Sequence, residues 1–394
     1  MHRSDRYICI LLGALCLTGT SIYYTRGLKD DYAAFFVHVV ASTSLYVTSL
    51  ISLSFATEED ARLQAKLAKL RQRKRAGLRP YQYWPLELAT LSTRVTGLLG
   101  GLYTFAMPLV SPFKDPIVDV AIRIPTFFYS CKLLDLSVAR ARKPPVPRGA
   151  QDIEAYGLVS WRAHGANAWR LLTETRYASF NIAVDESARK AVEQKDAVWS
   201  LVPWVAIPLA YLFPAAAEAQ VVSGLLGIQL GLESLHTLLH PRCPNWLFCR
   251  PFASAGLLEF WTCRWHQGAQ PFLYSLGYAP MRRVVAKLFG PDVGRAAGVL
   301  GAFSLSGVWH AWSGAALTRA EYVWHVSVGL WFLFILQGLG CLVEKRLSKD
   351  VRWRTAWQGR LFTAICWACS VESASVWLRY SLTRTSLPWL PESS

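Results

Sequence analysis

The chain has 394 residues, of which 53% are hydrophobic, 13% aromatic and only 17% charged, where a soluble domain averages about 25% charged. This depletion argues against a soluble enzyme and for a single integral membrane domain over residues 1–394, all-α and polytopic. The net charge of +16 does not point to nucleic acid, because the Lys and Arg lie between apolar runs, where the positive-inside rule accounts for them.

About nine runs are long enough to cross a bilayer, so eight to nine transmembrane helices are expected. The first two, Tyr7–Tyr24 and Tyr32–Ala56, form an N-terminal pair over residues 1–56. Residues 57–85 then carry Arg62, Lys66, Lys69, Arg71, Arg73, Lys74, Arg75 and Arg79, a basic loop expected to face the cytosol. Spans three and four are Leu88–Val110 and Ile117–Ala139, separated by a proline-punctuated turn. Residues 150–196 read as interfacial or cytosolic helix. Spans five and six are Ala197–Ala216 and Ala219–Leu239. Pro241–Arg283, rich in Pro, Trp and Arg, is too polar for a simple span and reads as interfacial or re-entrant structure. Spans seven to nine follow at Gly294–Ala316, Tyr322–Val343 and Leu361–Tyr380. Strict alternation puts every strongly basic loop on one side, the N-terminus in the cytosol and the C-terminus in the lumen. The 17 Trp, against 3 Met, suit chain ends anchored among headgroups.

His310 is the most informative polar residue. It lies in Phe303-Ser304-Leu305-Ser306-Gly307-Val308-Trp309-His310, within span seven, and an ionisable group at membrane depth is a functional candidate by default. A neutral imidazole is what a general base needs. Ser306, one helical turn earlier, is placed to orient the ring, and Gly294, Gly298 and Gly301 offer close helix packing. His266 is the second candidate, in Glu259-Phe260-Trp261-Thr262-Cys263-Arg264-Trp265-His266-Gln267. Here aromatic rings could receive a thioester-bearing group, with Gln267 donating hydrogen bonds and Arg264 meeting phosphate; an aromatic belt with positive-inside charges is the plainer alternative. Glu233, His236 and His240 share a helix face at a spacing that permits a metal, but the H-x-x-H-H clusters of membrane hydroxylases are absent, and no metal is expected. The nine cysteines read as reduced and structural; Cys366-Trp-Ala-Cys369 has no second pair to complete a zinc site. His38 and His325 read as core histidines, Lys132 and Asp135 as an ion pair, and Arg94, Arg123 and Glu372 as intramembrane charges with no partner evident from sequence. No G-x-S-x-G, P-loop or dinucleotide fingerprint occurs.

Phe260-Trp261-Thr262-Cys263-Arg264-Trp265-His266-Gln267 and the later Ser306-Gly307-Val308-Trp309-His310 together resemble the wax-synthase-like branch of the membrane-bound O-acyltransferases (MBOAT-like), and within it the fungal acetyltransferases of terpenoid and meroterpenoid clusters. Pro251-Phe252 and Lys132-Leu133-Leu134-Asp135 share in the resemblance, which extends over residues 120–380 in span order. It implies transfer of an acyl group, here acetyl from acetyl-CoA as cosubstrate, to a hydroxyl of a lipophilic alcohol in the endoplasmic reticulum, with no bound cofactor. It assigns His310 as general base and His266 as the second catalytic position. Gln267, Trp265, Trp261, Arg264, Ser306 and Trp309 would position substrate and CoA. The sequence departs from the family with Thr262 and Cys263, where Gly and a basic residue are common, and with Trp309, where a smaller residue is frequent. A long-chain alcohol acceptor, giving a wax ester, is the alternative within the class. A transporter and a metal-dependent hydroxylase are the alternatives outside it.

Overall fold

The computed structural model describes residues 12–13, 15–16, 31–72, 84–113, 115–141, 145–147, 161–175, 177, 179–182, 227, 230–234, 247–248, 251, 254–347, 359–366 and 368. Over these residues the chain is helical and free of extended strands, with one isolated bridge between Pro147 and Phe180. The contacts divide it into two compact units, Met1–Lys114 with Pro125–Ala183, and Asp115–Ile124 with Val184–Ser394.

In the first unit α1 (Asp31–Gln72) packs along α2 (Trp84–Val110) and against α4 (Trp161–Thr173). α3 (Pro116–Leu134) ends in a π-helical turn, Asp135–Ala139, seated against both α1 and α2. The apolar centre is Tyr46, Leu50 and Leu53 of α1, Leu133 of α3, Leu136 in the π-helical turn, and Ala168, Leu171, Tyr177 and Phe180. Between these helices lies a ladder of small hydroxyls: Ser42 with Thr104, Ser49 with Ser137, and Ser52 with Thr93, at 2.7, 2.8 and 3.0 Å. Small residues let these helices approach closely, and the interhelical hydrogen bonds between them tie the elements together. Gly97 marks the tightest crossing, where a methyl group would collide with Ser137.

α1 runs to Gln72 and so takes in more than half of the basic loop expected over 57–85. The reason is local: residues 56–72 are almost entirely Ala, Leu, Glu, Lys, Gln and Arg, the best helix formers. Two helical stretches are long and apolar enough to cross a membrane, Tyr32–Phe55 and Ala320–Leu347. α2, α3 and the later helix Pro291–Gly314 are helical over the expected spans three, four and seven, but charges such as Arg94, Asp119, Arg123 and Lys132, or runs of Gly and Ser, make them less apolar. Spans one, five and six and most of span nine fall largely outside the described residues.

Lys132, buried, extends its ammonium to the carbonyls of Leu172 (3.0 Å) and Glu174 (2.9 Å) at the end of α4, with the Tyr177 ring 5.2 Å away. It thus satisfies helix-terminal carbonyls with a charge that the helix dipole favours. Asp135 receives Arg140 at 2.7 Å. His164, which carried no signal in the sequence, is buried beside Phe55 and hydrogen-bonded to Ser54 at 2.7 Å, so the helix expected within 150–196 docks on the core through α4. His38 is a core histidine as expected, bonded to Tyr103 at 2.6 Å, whereas His325 is exposed.

The second unit is built on a helical hairpin. α5 (Leu257–Glu259) passes into a π-helical stretch, Phe260–Arg264; α6 (Gln270–Phe272) continues as a second one, Leu273–Tyr278, and then as α7 (Ala279–Phe289). Gly290, at φ 87°, turns the chain into α8 (Pro291–Gly314), and two single 3-10 turns lead to α9 (Val323–Leu347). The small residues expected to permit close packing do so. A methyl on Gly294 would meet Ala286, one on Gly298 would meet Tyr278, and one on Gly301 would meet the Gly277 carbonyl. On the opposite side Gly307 lets α8 approach the Trp331 backbone of α9.

Candidate active site

Both candidate histidines lie in the second unit and converge on one ring, that of Trp309. His310 sits in the last turns of α8 with Nδ1 2.8 Å from the Ser306 carbonyl. A carbonyl only accepts, so Nδ1 carries the proton and Nε2 is left with its lone pair. Ser306, expected from its place one turn earlier to orient the ring, meets Nδ1 with its backbone carbonyl. The Phe334 ring of α9 packs on the His310 ring with centroids 4.1 Å apart and a tilt of 32°, and restricts its plane. His310 itself is exposed.

His266 follows the π-helical stretch in a left-handed conformation, φ 43°. A non-glycine residue there is strained, and such strain persists where surrounding contacts enforce it. Its ring stands edge-on to Trp309 at 5.3 Å and to Phe248 at 5.6 Å. Burial among these rings, with a smaller effect from His310, pushes the His266 imidazole down to about 4, so it is neutral at physiological pH.

The rings close on themselves. From Trp309 the path runs through His266 and Phe248 to Trp265, at 4.9 Å. Trp265 stacks on Phe260, Phe260 meets Trp261, Trp261 meets Phe334, and Phe334 returns to His310 and Trp309. Two histidines are therefore set into one aromatic circuit drawn from Phe248, from the turn after α5, from α8 and from α9. The expected aromatic residues Trp261, Trp265 and Trp309 all belong to it.

Backbone and polar anchors hold the circuit. Glu344, at the end of α9, accepts the Leu258 N–H at 2.6 Å and caps the start of α5, with Gly256 leaving room for its carboxylate. Glu259, half-buried, takes the buried Arg264 in an ion pair at 2.6 Å and also accepts the Ala255 N–H. Arg264, expected to meet phosphate, is thus committed to Glu259. Gln267 is buried; its side chain donates to the Trp265 carbonyl at 3.2 Å and its N–H to the Leu247 carbonyl at 2.9 Å. Gln270 donates to the carbonyls of Trp261 and Thr262 at 3.3 and 2.5 Å, stabilising the end of the π-helical stretch. Glu233 accepts the N–H groups of Leu247 and Phe248 at about 3.1 Å, so its carboxylate is spent on placing Phe248. His236 and His240, expected to share its face, lie outside the described residues. Among the described residues no cluster of metal-binding side chains occurs.

Two contributors were not anticipated. Phe334 holds His310, and Gln337, one turn later on α9, accepts the Trp261 indole N–H at 3.2 Å while donating to the Cys366 carbonyl at 3.3 Å. A lone glutamine in an otherwise apolar span was the available signal for Gln337. Phe334 had none, since one more aromatic residue in an apolar helix is unremarkable.

Residues 243–335 match the Membrane bound O-acyl transferase family. Three curated plant proteins are similar. The chain is 30% identical to the long-chain-alcohol O-fatty-acyltransferase of Simmondsia chinensis, over 37% of its own length and 38% of that protein's. It is 28% identical to the probable long-chain-alcohol O-fatty-acyltransferase 7 of Arabidopsis thaliana, over 41% and 49%, and 26% identical to the probable enzyme 1 of the same plant, over 34% and 37%. The matches thus span less than half the length of each relative. No solved structure matches the chain. His266 and His310, with the rings that join them, lie inside the matched segment, and through that segment the chain is related to the membrane bound O-acyl transferases.

Proposed function

We propose that the chain is a multi-pass, acyl-CoA-dependent O-acyltransferase of an internal membrane such as the endoplasmic reticulum, with His310 as general base. The observation that carries this reading is the fixed tautomer of His310. With Nδ1–H donated to the Ser306 carbonyl, Nε2 is the free base, on an exposed ring whose plane Phe334 sets. In the reaction Nε2 takes the proton of the acceptor hydroxyl as its oxygen bonds to the thioester carbonyl carbon. The tetrahedral oxyanion then collapses, the C–S bond breaks, and the CoA thiolate recovers the proton from His310. No covalent enzyme intermediate and no metal is needed. His266, neutral and held beside Trp309, offers a hydrogen-bond donor for the thioester oxygen. The aromatic circuit sets an apolar surface beside both histidines, which suits a lipophilic acceptor and disfavours water as a competing nucleophile.

The acceptor is a lipophilic alcohol. The three relatives are named for long-chain alcohols and fatty acyl groups, which favours a wax-ester reaction over acetyl transfer to a terpenoid, the reading that led from sequence. One assay separates them: microsomes containing the chain, supplied with labelled acetyl-CoA or labelled palmitoyl-CoA, each with a long-chain alcohol or a terpenoid alcohol. Ester formed from one donor by the intact chain, and lowered more than about 100-fold in His310→Ala, is the expected result. Ester formation that survives His310→Ala in folded protein removes His310 as base.

A further inference from the structure

We propose that Arg123, held by Asp119, is a positioning residue for His310. The inference rests on the reading of His310 as the base. It concerns the first turns of α3, which lie well outside residues 243–335 that match the family.

Asp119 and Arg123 are one helical turn apart. Arg123 places both Nε and Nη2 on the same carboxylate oxygen of Asp119, at 3.0 and 2.9 Å, and the two side chains are only 13% and 9% exposed. Charges withdrawn from water in this way are retained when they are paired and when a further contact uses them. That contact is the end of α8. Arg123 Nη1 donates to the Trp312 carbonyl at 3.4 Å, and the guanidinium lies 4.8 Å from the centre of the Trp312 ring. Trp312 supplies one of the last carbonyls of α8, and the helix dipole favours a cation there. The next residue of α3, Ile124, accepts the Trp309 indole N–H at 3.1 Å.

Trp309 and Trp312 flank His310 in the chain. Two successive residues of α3 therefore grip α8 on either side of the histidine, one by its charged side chain and one by its carbonyl. Trp309 is also the ring that stands between His310 and His266. Loosening this grip would let the last turn of α8 rotate or fray, and Nε2 would leave its alignment with His266. Arg123 touches neither reacting group in this scheme; it acts through Trp312, and its fixed fork suits a carboxylate and a carbonyl together, as a lysine's single ammonium does not.

The test uses the full chain purified in detergent, with Arg123→Met, Arg123→Lys, Trp309→Phe and His310→Ala measured side by side. Displacement of a reacting group by about 1 Å costs on the order of 100-fold. Arg123→Met should therefore lower kcat about 10- to 100-fold, with KM for donor and alcohol unchanged within about twofold. Arg123→Lys should recover part of the loss. Trp309→Phe, which keeps a ring and deletes the bond to Ile124, should lower kcat in the same way by a smaller factor, and it carries the test if Arg123→Met elutes aggregated. Unchanged kcat in Arg123→Lys and Trp309→Phe, with His310→Ala inactive, would overturn the inference and leave the proposed function standing. A raised KM with unchanged kcat would make Arg123 a binding residue and also overturn it. An active His310→Ala would overturn both.

Discussion

At the scale of single residues, two features of the site make separate predictions. The neutral His266 imidazole sets a pH dependence of stability. Unfolded, its pKa is near 6.5; folded, it is held at about 4 by burial. At pH 7 and above both states are neutral and His266 contributes nothing. As pH falls from about 6.5 the unfolded chain binds a proton that the folded chain refuses, so stability declines until about pH 4, by at most on the order of 3 kcal/mol. Thermal unfolding in detergent at pH 7.5 and at pH 5 should show the lower midpoint at pH 5, and His266→Asn should shrink the difference. An equal difference in the variant would assign the slope to other groups. Glu233 gives the second prediction. Its carboxylate serves the N–H groups of the buried residues Leu247 and Phe248, and unsatisfied buried donors cost about 1–3 kcal/mol. Glu233→Ala should lower the unfolding midpoint and reduce turnover through Phe248 and His266, whereas Glu233→Gln, which keeps an acceptor, should be milder. A role for Glu233 as a metal ligand predicts instead that alanine and glutamine are equally damaging and that chelators mimic both.

At the scale of elements, the site depends on how closely α8 can approach its neighbours. Gly307 faces the backbone of Trp331, whose atoms would lie 3.0 Å from an added methyl. Backbone cannot swing aside as a side-chain tip can, so the helices must separate. Trp331 also donates its indole N–H to Ser304 at 2.9 Å, a bond that separation would stretch. Phe334, one turn beyond Trp331, would move with it and release the His310 ring. Gly307→Val should therefore destabilise the protein by about 1–3 kcal/mol and cut turnover by more than this loss of folded protein explains. The measurement is activity per folded molecule, with folded protein counted by size-exclusion elution. Full specific activity in the folded fraction would show that α9 does not set the geometry of His310. The two π-helical stretches belong to the same scale. Each widens the helix by one residue, and the first, Phe260–Arg264, lets Trp261, Arg264 and Trp265 reach separate partners, where an α-helix would place Trp261 and Trp265 on one face.

At the scale of the whole molecule, charge distribution makes a prediction of orientation. The stretch 57–85 carries eight of the basic residues, and strict alternation of the expected spans would put it in the cytosol with the N-terminus. A lone cysteine introduced as Lys74→Cys in a cysteine-free variant should react with a membrane-impermeant maleimide when only the plasma membrane is opened. Protection until the internal membranes are opened as well would invert the topology and put the basic loop in the lumen.

The sequence by itself pointed to an all-helical chain: charge depletion and apolar runs suit a membrane, where lipid leaves backbone groups no partner outside helices or closed barrels, and the described residues are helical. It also singled out His266 and His310, since ionisable groups beside or within apolar runs are costly enough to stand out, and it found the small residues of α8 by their spacing. It misread the end of α1, where charge suggested a loop although the same residues favour helix. What only the tertiary structure decided is partnership. That Arg123 reaches the Trp312 carbonyl at the end of α8, that Gln337 receives the Trp261 indole, and that Phe334 lies against His310 are facts of helices brought together from separate parts of the chain. Side-chain partners across such distances depend on the rotation and offset of whole helices, which no local pattern of residues records.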